Sequence, residues 1–303
     1  AAIGIYCAAR VLGKKAQIVL DQVTSSLRPL KEGFTTEKGY PPDMFVSSER
    51  ALELTDYNTL VMVVDETRPS HTECPGLLKR TDSIVVFDHH RQSSEVISNP
   101  VLSYIEPYAS STCEMVAEVL QYFTENIKLA PHEADCIYAG ILIDTSNFMT
   151  KTGVRTFEAA AYLKRCGAEV TRVRKMLRND MDAYKARAEV VRHAEVYRGA
   201  FAISICPADK IESPTIVGAQ AADELLNIVG IKASFVLTEY QGKIYVSSRS
   251  IDEINVQKIM ERLGGGGHLN MAGCQLRDCT VSQAQRIIED TIDEMLEEGD
   301  IEE

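Results

Sequence analysis

The chain has 303 residues, of which 45% are hydrophobic and 25% charged, a composition typical of a globular protein with room for two domains. Its 32 basic against 44 acidic residues give a net charge of −12, which excludes nonspecific binding to long nucleic acid because that requires a broad basic surface. We find neither an apolar segment of membrane-spanning length nor a signal peptide, and we therefore expect no membrane contact from these residues.

The spacing of apolar residues in the first half predicts alternating helices and strands, and hence a mostly parallel sheet. A helix is predicted over residues 1–12 with Gly13 as its C-cap, and further helices over residues 110–123, from Pro131, and from Arg155 to about residue 166. Buried strands are predicted at residues 16–20, 60–64, 84–87 and 139–143.

The second half begins after a charged segment without glycine or proline. Residues 172–195 are predicted to form linker helices, with a second domain starting near Val196. Strands are predicted at residues 201–205, 233–238 and 243–247, helices at 214–229, 256–263 and 281–296, and a frayed acidic tail at 297–303.

Eight cysteines are scattered along the chain without a Cys-x-x-Cys pair, and most lie in apolar surroundings. This pattern predicts reduced, buried thiols in a cytosolic protein rather than a disulfide framework or a zinc site.

Three predicted strands are each followed directly by an aspartate. These are Asp65, Asp88, which precedes His89 and His90, and Asp144. Ligands of open α/β sheets bind beyond the carboxyl ends of the strands, and ionised carboxylates rarely gather without a cation. Mixed carboxylate and imidazole ligands suit manganese, iron or zinc. Polar caps at strand ends are the alternative interpretation.

The second half carries two further candidates for contact with an anion. The glycines at positions 264–267 would let backbone N–H groups approach a phosphate, and residues 268–270 could open a helix whose N-terminus favours anions. A flexible linker is the alternative for this run. Arg249 could bind a phosphate in bidentate fashion or be a solvated side chain, and Arg155 is a weaker candidate.

The Asp-His-His triplet after a strand, with an acid 23 residues earlier and Asp144 beyond it, resembles the DHH phosphoesterases. The run Gly264, Gly265, Gly266, Gly267 and His268 resembles their DHH-associated domain. Ser248-Arg249-Ser250, Ile254-Asn255-Val256-Gln257 and Ile259-Met260-Glu261 resemble the GdpP-type cyclic-di-AMP phosphodiesterases of that family. The resemblance implies an α/β fold in two domains, a mostly parallel-sheet DHH domain (1–178) and a smaller α/β DHH-associated domain (196–303), joined by a helical linker (179–195).

The resemblance also implies an active site in the cleft between the domains. Asp65 would bridge two divalent ions, expected to be Mn²⁺, with His89 binding one ion and Asp144 the other. Asp88 and His90 would complete the catalytic site by orienting these ligands. Arg249, the glycines at 264–267 and His268 would hold the substrate, and the reaction would convert cyclic di-AMP to linear pApA.

Two other functions are compatible with these residues. One is an oligoribonuclease or phosphatase acting on short linear nucleotides, and the other is a non-catalytic nucleotide sensor. The family places a strand and a motif of one His and two Asp before its first helix, so we expect those ligands to lie upstream of Ala1 in a longer parent protein. We expect that parent to be anchored in the cell membrane with this module on the cytoplasmic face, and a homodimer is possible.

Overall fold

The chain divides into two compact units, Ala1–Arg178 and Asn179–Glu303. Both combine helices with sheets, so the expectation of an α/β fold is confirmed. The computed structural model describes residues 1–23, 27–36, 39–92, 95–125, 127–178, 181–209, 211, 213–251 and 254–301. None of the helices in these ranges combines the length and the apolar character that a membrane crossing requires.

The first unit combines two small parallel sheets with helices. Its strands are β1 (Ile18–Val19), β2 (Phe45–Val46), β3 (Val61–Val64), β4 (Ile84–Asp88) and β5 (Leu102–Ile105), arranged as β1-β2 and β3-β4-β5. Its α-helices are α1 (Ala2–Val11), α2 (Arg28–Thr36), α3 (Ser48–Leu54), α4 (Thr112–Phe123), α5 (Pro131–Asp144), α6 (Val154–Arg165) and α7 (Val170–Met176), and Pro69–His71 and Pro75–Lys79 form 3₁₀ turns.

The central strand β4 fixes the position of the predicted site. All five of its residues are buried, and it pairs in parallel with β3 on one side and with β5 on the other. The register places Val64 opposite Phe87, and the Asp65 N–H donates to the Phe87 carbonyl at 2.8 Å. Asp65 and Asp88 therefore lie at the same carboxyl edge of one parallel sheet.

The predicted strand at residues 139–143 is wrong, because these residues form the last turns of α5. The helix is buried on nearly every side, so its sequence lacks the polar stripe that marks an amphipathic helix. A short apolar run of this kind cannot be distinguished from a buried strand by periodicity. Asp144 is consequently the last residue of a helix and does not follow a strand.

The second unit has one six-stranded mixed sheet in the order β10-β11-β9-β8-β7-β6. Among the strands described for this unit, only β7 and β8 pair in parallel. The strands are β6 (Glu195–Tyr197), β7 (Phe201–Cys206), β8 (Ala233–Tyr240), β9 (Lys243–Ser250), β10 (Gly266–His268) and β11 (Met271–Leu276). The helices are α8 (Met181–Arg192), α9 (Pro214–Leu225), α10 (Val256–Arg262) and α11 (Val281–Glu297).

Two predictions for the second half are wrong. Residues 268–270 do not open a helix, since His268 ends β10 and pairs with Met271 across a tight turn. Residues 298–301 are not a frayed tail, because Ile301 is buried in the main core of the unit with Phe201, Phe235 and Met295. Residues 302–303 lie outside the described part of the chain.

All eight cysteines are free thiols, and six of them are buried, as predicted. Burial raises the pKa of Cys136 and of Cys274 to about 12. Both side chains therefore remain protonated and behave as small apolar groups.

A buried carboxylate joins α1 to α5 in the first unit. Glu133 is fully buried, and its carboxylate accepts from the Arg10 guanidinium at 2.5 and 3.0 Å. It also accepts from the Tyr40 hydroxyl at 2.9 Å and from the Ala130 N–H at 2.7 Å. Burial alone would raise the pKa of Glu133, but these hydrogen bonds hold the pKa below its ordinary value.

Replacing Arg10 by methionine should lower the free energy of unfolding by about 3 kcal/mol, since Glu133 is then a buried charge without its cation. Because the folded pKa of Glu133 lies below the unfolded one, its stabilising contribution is present above the unfolded pKa, about 4.3. That contribution is lost as the pH falls through the folded value, and the variant should show a weaker acid dependence. Urea unfolding at several pH values measures both effects.

The matched control is Lys15→Met. Lys15 lies 3.7 Å from Asp43, and both side chains are exposed. Its removal should cost less than about 1 kcal/mol. Equal losses for the two variants would contradict a special role for Glu133.

Candidate metal centre

The Asp88 carboxylate is the most deeply buried group of the site. Its Oδ1 atom accepts from the backbone N–H groups of His89 and His90 at 2.8 and 3.2 Å, and lies 2.7 Å from Nδ1 of His90. Burial would raise the pKa of Asp88, but these hydrogen bonds and the charge of His90 bring it below the ordinary value. The same contact raises the pKa of His90. Asp88 therefore orients His90 and leaves its Nε2 atom available.

His89 is held by a backbone carbonyl. Its Nδ1 atom lies 3.3 Å from the carbonyl oxygen of Ala109, which can only accept, so Nδ1 carries the hydrogen. Nε2 is thereby left with a lone pair and lies 3.6 Å from Oδ1 of Asp65. Burial and the neighbouring His90 lower the pKa of His89, which favours the neutral ring that a metal requires.

Asp65, His89 and His90 form a group whose ligand atoms all lie within 4.8 Å of one another. Asp65 leaves β3 with a left-handed backbone (φ 71°) and its side chain is half exposed. The donor set of one carboxylate and two imidazoles fits a divalent transition metal. Nδ1 of His90 donates to Asp88 and Nδ1 of His89 donates to the Ala109 carbonyl, and contacts of this kind orient the histidine ligands of metal sites.

Asp144 lies outside that group of three but interacts with it electrostatically. Its burial and the nearby charge of Asp65 raise the pKa of Asp144 to about 6. A cation close to both side chains would offset the repulsion that Asp65 exerts on the ionised form of Asp144. The sequence thus identified Asp144 as a candidate although it assigned the wrong secondary structure.

The segment after Asp144 has an unusual backbone. Ser146, Asn147 and Phe148 are all left-handed, with φ values of 47°, 62° and 65°. The buried Thr145 holds this turn, since its hydroxyl donates to the Ile141 carbonyl at 2.7 Å and accepts from the Phe148 N–H at 3.0 Å. The Phe148 ring stacks on Phe157 with a centroid separation of 5.4 Å. The turn therefore fixes the chain directly after Asp144.

In the second unit, Arg249 is a nearly buried residue of β9. Its Nε donates to Oδ1 of Asp223 at 2.8 Å, and Nη1 donates to the Ser248 carbonyl at 2.9 Å. The solvated arginine that the sequence also allowed is therefore wrong. The guanidinium is held in one orientation by α9 and its own strand.

The four glycines differ in what the fold requires of them. Gly264 ends α10 with φ 73°, and the N–H groups of Gly264 and Gly265 donate to the carbonyls of Glu261 and Met260. A Cβ at Gly265 would lie 2.2 Å from the Gly273 carbonyl oxygen, and one at Gly267 would lie 2.4 Å from that of Met271. A Cβ at Gly266 would meet nothing within 4 Å. The flexible linker is thus wrong: the left-handed backbone accounts for Gly264, close packing accounts for Gly265 and Gly267, and neither accounts for Gly266.

His268 ends β10 at the edge of the six-stranded sheet, directly after the glycines. In such an edge strand every second backbone N–H group points away from the neighbouring strand, here β11. Of the residues assigned to substrate binding, Arg249 lies on β9 and residues 266–268 form β10, the two strands that flank β11, whereas Gly264 and Gly265 precede β10.

Sequence reasoning missed two groups that hold the site together, the carbonyl of Ala109 and the hydroxyl of Thr145. A backbone carbonyl leaves no trace in the sequence. A threonine directly after a candidate ligand could have been noticed, because a buried hydroxyl requires a partner.

Two family models match the chain. The DHH family N-terminal domain matches residues 1–141, and the DHHA1 domain matches residues 201–298. The first match includes Asp65, Asp88, His89 and His90 but ends before Asp144.

The chain is also similar in sequence to curated proteins of known function. The chain is 44% identical to the cyclic-di-AMP phosphodiesterase GdpP of Geobacillus thermodenitrificans over 84% of this chain and 39% of that protein. It is 40% identical to GdpP of Bacillus subtilis over 99% of this chain and 46% of that protein. The chain therefore spans less than half the length of these relatives.

The fold resembles the crystal structure of an exopolyphosphatase-related protein from Bacteroides fragilis. The TM-score is 0.81 at 17% identity, covering 97% of this chain and 87% of that one. That structure supports the fold, whereas the sequence matches support the family. The chain therefore belongs to the DHH family, with a DHH domain followed by a DHHA1 domain.

Proposed function

We propose that this chain is the catalytic module of a metal-dependent phosphodiesterase that hydrolyses cyclic di-AMP to linear pApA. The observation that carries the proposal is the group formed by Asp65, His89 and His90, with Asp88 orienting one histidine and Asp144 close to Asp65. The identity of 40–44% to proteins named cyclic-di-AMP phosphodiesterases supports the substrate.

The proposed site uses Mn²⁺, and the residues that would hold two ions are Asp65, His89, His90 and Asp144. Bound divalent ions supply charge stabilisation on the phosphoryl oxygens and an activated water. Asp65 is the candidate for the shared ligand, because its half-exposed carboxylate lies beside His89 and its charge reaches Asp144. His90 thus joins the proposed ligands, in addition to the orienting role expected of it.

Hydrogen-bond acceptors next to the two histidines fix the orientation of their rings. Asp88 accepts from Nδ1 of His90, and Ala109 accepts from Nδ1 of His89, so each ring presents Nε2. The fully buried Asp88 also favours a cation close by, since its Oδ2 atom has no hydrogen-bond partner among the described residues.

The second unit would bind the nucleotide in this proposal. Arg249 offers a fixed guanidinium, and β10 offers edge N–H groups next to the unhindered Gly266. Both suit a phosphate, whose charge an acidic protein must neutralise locally. We assign residues 1–178 to the DHH domain, 179–195 to a helical linker and 196–303 to the DHHA1 domain.

The central test replaces Asp65 by asparagine in the intact protein. Mn²⁺-dependent hydrolysis of cyclic di-AMP should fall by roughly 100-fold or more, because the carboxylate that would serve both cations is lost. Asp82→Asn is the matched control, since Asp82 is an exposed acid just before β4 and should have no effect.

Product analysis by chromatography distinguishes the candidate activities. Conversion of cyclic di-AMP to pApA supports the proposal, whereas turnover of linear dinucleotides alone would support an oligoribonuclease. Binding of cyclic di-AMP without turnover by the wild type would indicate a sensor. Unchanged hydrolysis in Asp65→Asn at saturating Mn²⁺ would refute the bridging role.

The affinity for Mn²⁺ should depend on pH through Asp144. Its pKa is raised to about 6, so below that pH a proton competes with the metal, and above it the carboxylate is ionised and free to bind. The dissociation constant from calorimetry should rise as the pH is lowered from 7.5 to 5. In Asp144→Asn the affinity should be weaker at pH 7.5 and less dependent on pH. An identical pH dependence in the two proteins would exclude Asp144 as a ligand.

Substitutions at Gly266 and Gly267 should have different effects, the first on substrate binding and the second on folding. Gly266→Val should weaken cyclic-di-AMP binding about 10-fold or more while the melting temperature is kept, because a side chain there meets open space but covers the edge N–H groups. Gly267→Val should instead lower the melting temperature, since φ is 150° and its Cβ would clash with Met271 and Ala272. Full nucleotide affinity in Gly266→Val would place the substrate elsewhere.

A further inference from the structure

Arg155 is surrounded by more carboxylates than a structural ion pair requires. It lies in the first turn of α6, where the helix dipole disfavours a cation. Nε and Nη2 donate to the two carboxylate oxygens of Glu118, both at 2.7 Å. In addition, Nη1 lies 3.7 Å from Glu106, and Nε lies 3.9 Å from Glu114. The bidentate bond to Glu118 alone would join α6 to α4, so the other two carboxylates call for a separate explanation.

Glu106 begins a loop at residues 106–110, and Glu114 of α4 binds the last residue of that loop. Glu106 follows β5, and its N–H donates to the carbonyl of Asp88 at 2.9 Å. Glu114 is buried in the first turn of α4, and its carboxylate accepts from the Ser110 hydroxyl at 2.5 Å and from the Ser110 N–H at 3.3 Å. The loop at residues 106–110 is therefore tied at both ends to carboxylates that face the Arg155 guanidinium.

The same loop carries the group that orients His89. The N–H of Ala109 donates to the carbonyl of Glu106 at 3.0 Å, and the carbonyl of Ala109 faces Nδ1 of His89. A loop displaced by even 1 Å would break a contact that is already 3.3 Å long. The ring could then adopt the other tautomer, with the hydrogen on Nε2, which cannot bind a metal.

We infer that Arg155 is a positioning residue for His89, acting through Glu106, Glu114 and the loop at residues 106–110 that presents the Ala109 carbonyl. The inference rests on the proposed function in that it treats His89 as a metal ligand. Arg155 touches neither ligand nor substrate in this arrangement. It cancels part of the charge of three glutamates and fixes the two ends of a loop that selects one tautomer of one histidine.

Arg155→Met and Arg155→Lys test the inference in the intact protein. Nitrogen-15 NMR of the imidazole rings in metal-free protein reports the tautomer of His89, and calorimetry reports the affinity for Mn²⁺. Arg155→Met should show a mixture of His89 tautomers and an affinity for Mn²⁺ about 10–100-fold weaker. Arg155→Lys keeps the charge and should restore part of both. Glu106→Gln should shift the tautomer in the same direction if Arg155→Met does not fold.

The matched control is Arg172→Met. Arg172 forms a bidentate ion pair with the buried Asp135, in the same unit but between α7 and α5. Its loss should lower the melting temperature while the His89 spectrum and the Mn²⁺ affinity remain those of the wild type.

Two outcomes would overturn the inference. One is that Arg155→Met is less stable but keeps the wild-type His89 spectrum and Mn²⁺ affinity, which would make Arg155 a simple brace between α6 and α4. The other is that Arg172→Met changes the spectrum equally. Neither measurement uses cyclic di-AMP, so a protein that binds Mn²⁺ but does not cleave this nucleotide would refute the proposed substrate and leave the role of Arg155 testable.

Discussion

The carboxylate of Asp88 has no exposed surface, yet its pKa is held below the ordinary value. Such a charge is tolerated in a protein interior only where hydrogen bonds and positive charge surround it. Two backbone N–H groups and the His90 ring supply this on one oxygen, while the other oxygen has no hydrogen-bond partner within the described ranges. The arrangement forces the chain to turn sharply after β4 and brings both histidines to the same edge as Asp65. The geometry of the centre thus follows from burying one acid at the end of a central strand.

In the second unit, the fold constrains most of the glycine run and the side chain of Arg249. Its glycine run must end α10, turn the chain and lie against β11, and three of the four glycines serve these needs. The fourth, Gly266, is free of steric demands from the fold. Arg249 is likewise held by Asp223, so its side chain would lose little conformational entropy in binding the proposed phosphate.

The parts of the fold that could be predicted are those whose signal is local. The apolar runs of β3 and β4 and the acids that follow them identified one edge of a parallel sheet, and the same reasoning found Asp65 and Asp88. It failed at α5, where burial on nearly every side removes the helical periodicity, and at β10, where glycines carry no side chains to alternate. The strand β5 was not predicted, because its four residues, of which Leu102 and Ser103 are exposed, lack the continuous apolar run of β3 and β4. The partners of Arg155 could not be predicted, since Glu118 lies 37 residues away along the chain.

The left-handed turn after Asp144 has a consequence for how the centre loses its shape. Three consecutive residues in this conformation cost roughly 1–2 kcal/mol each, a price that the Thr145 hydroxyl and the packing of Phe148 on Phe157 must offset. When that packing loosens, relaxation of the strained turn lowers its free energy. This segment should therefore open well below the temperature at which α4 and α5 melt. Amide hydrogens of residues 146–149 would then exchange through a local opening. The packing of Phe148 on Phe157 would thus help to hold the candidate ligand Asp144 in place, and warming would disturb its position before the protein unfolds.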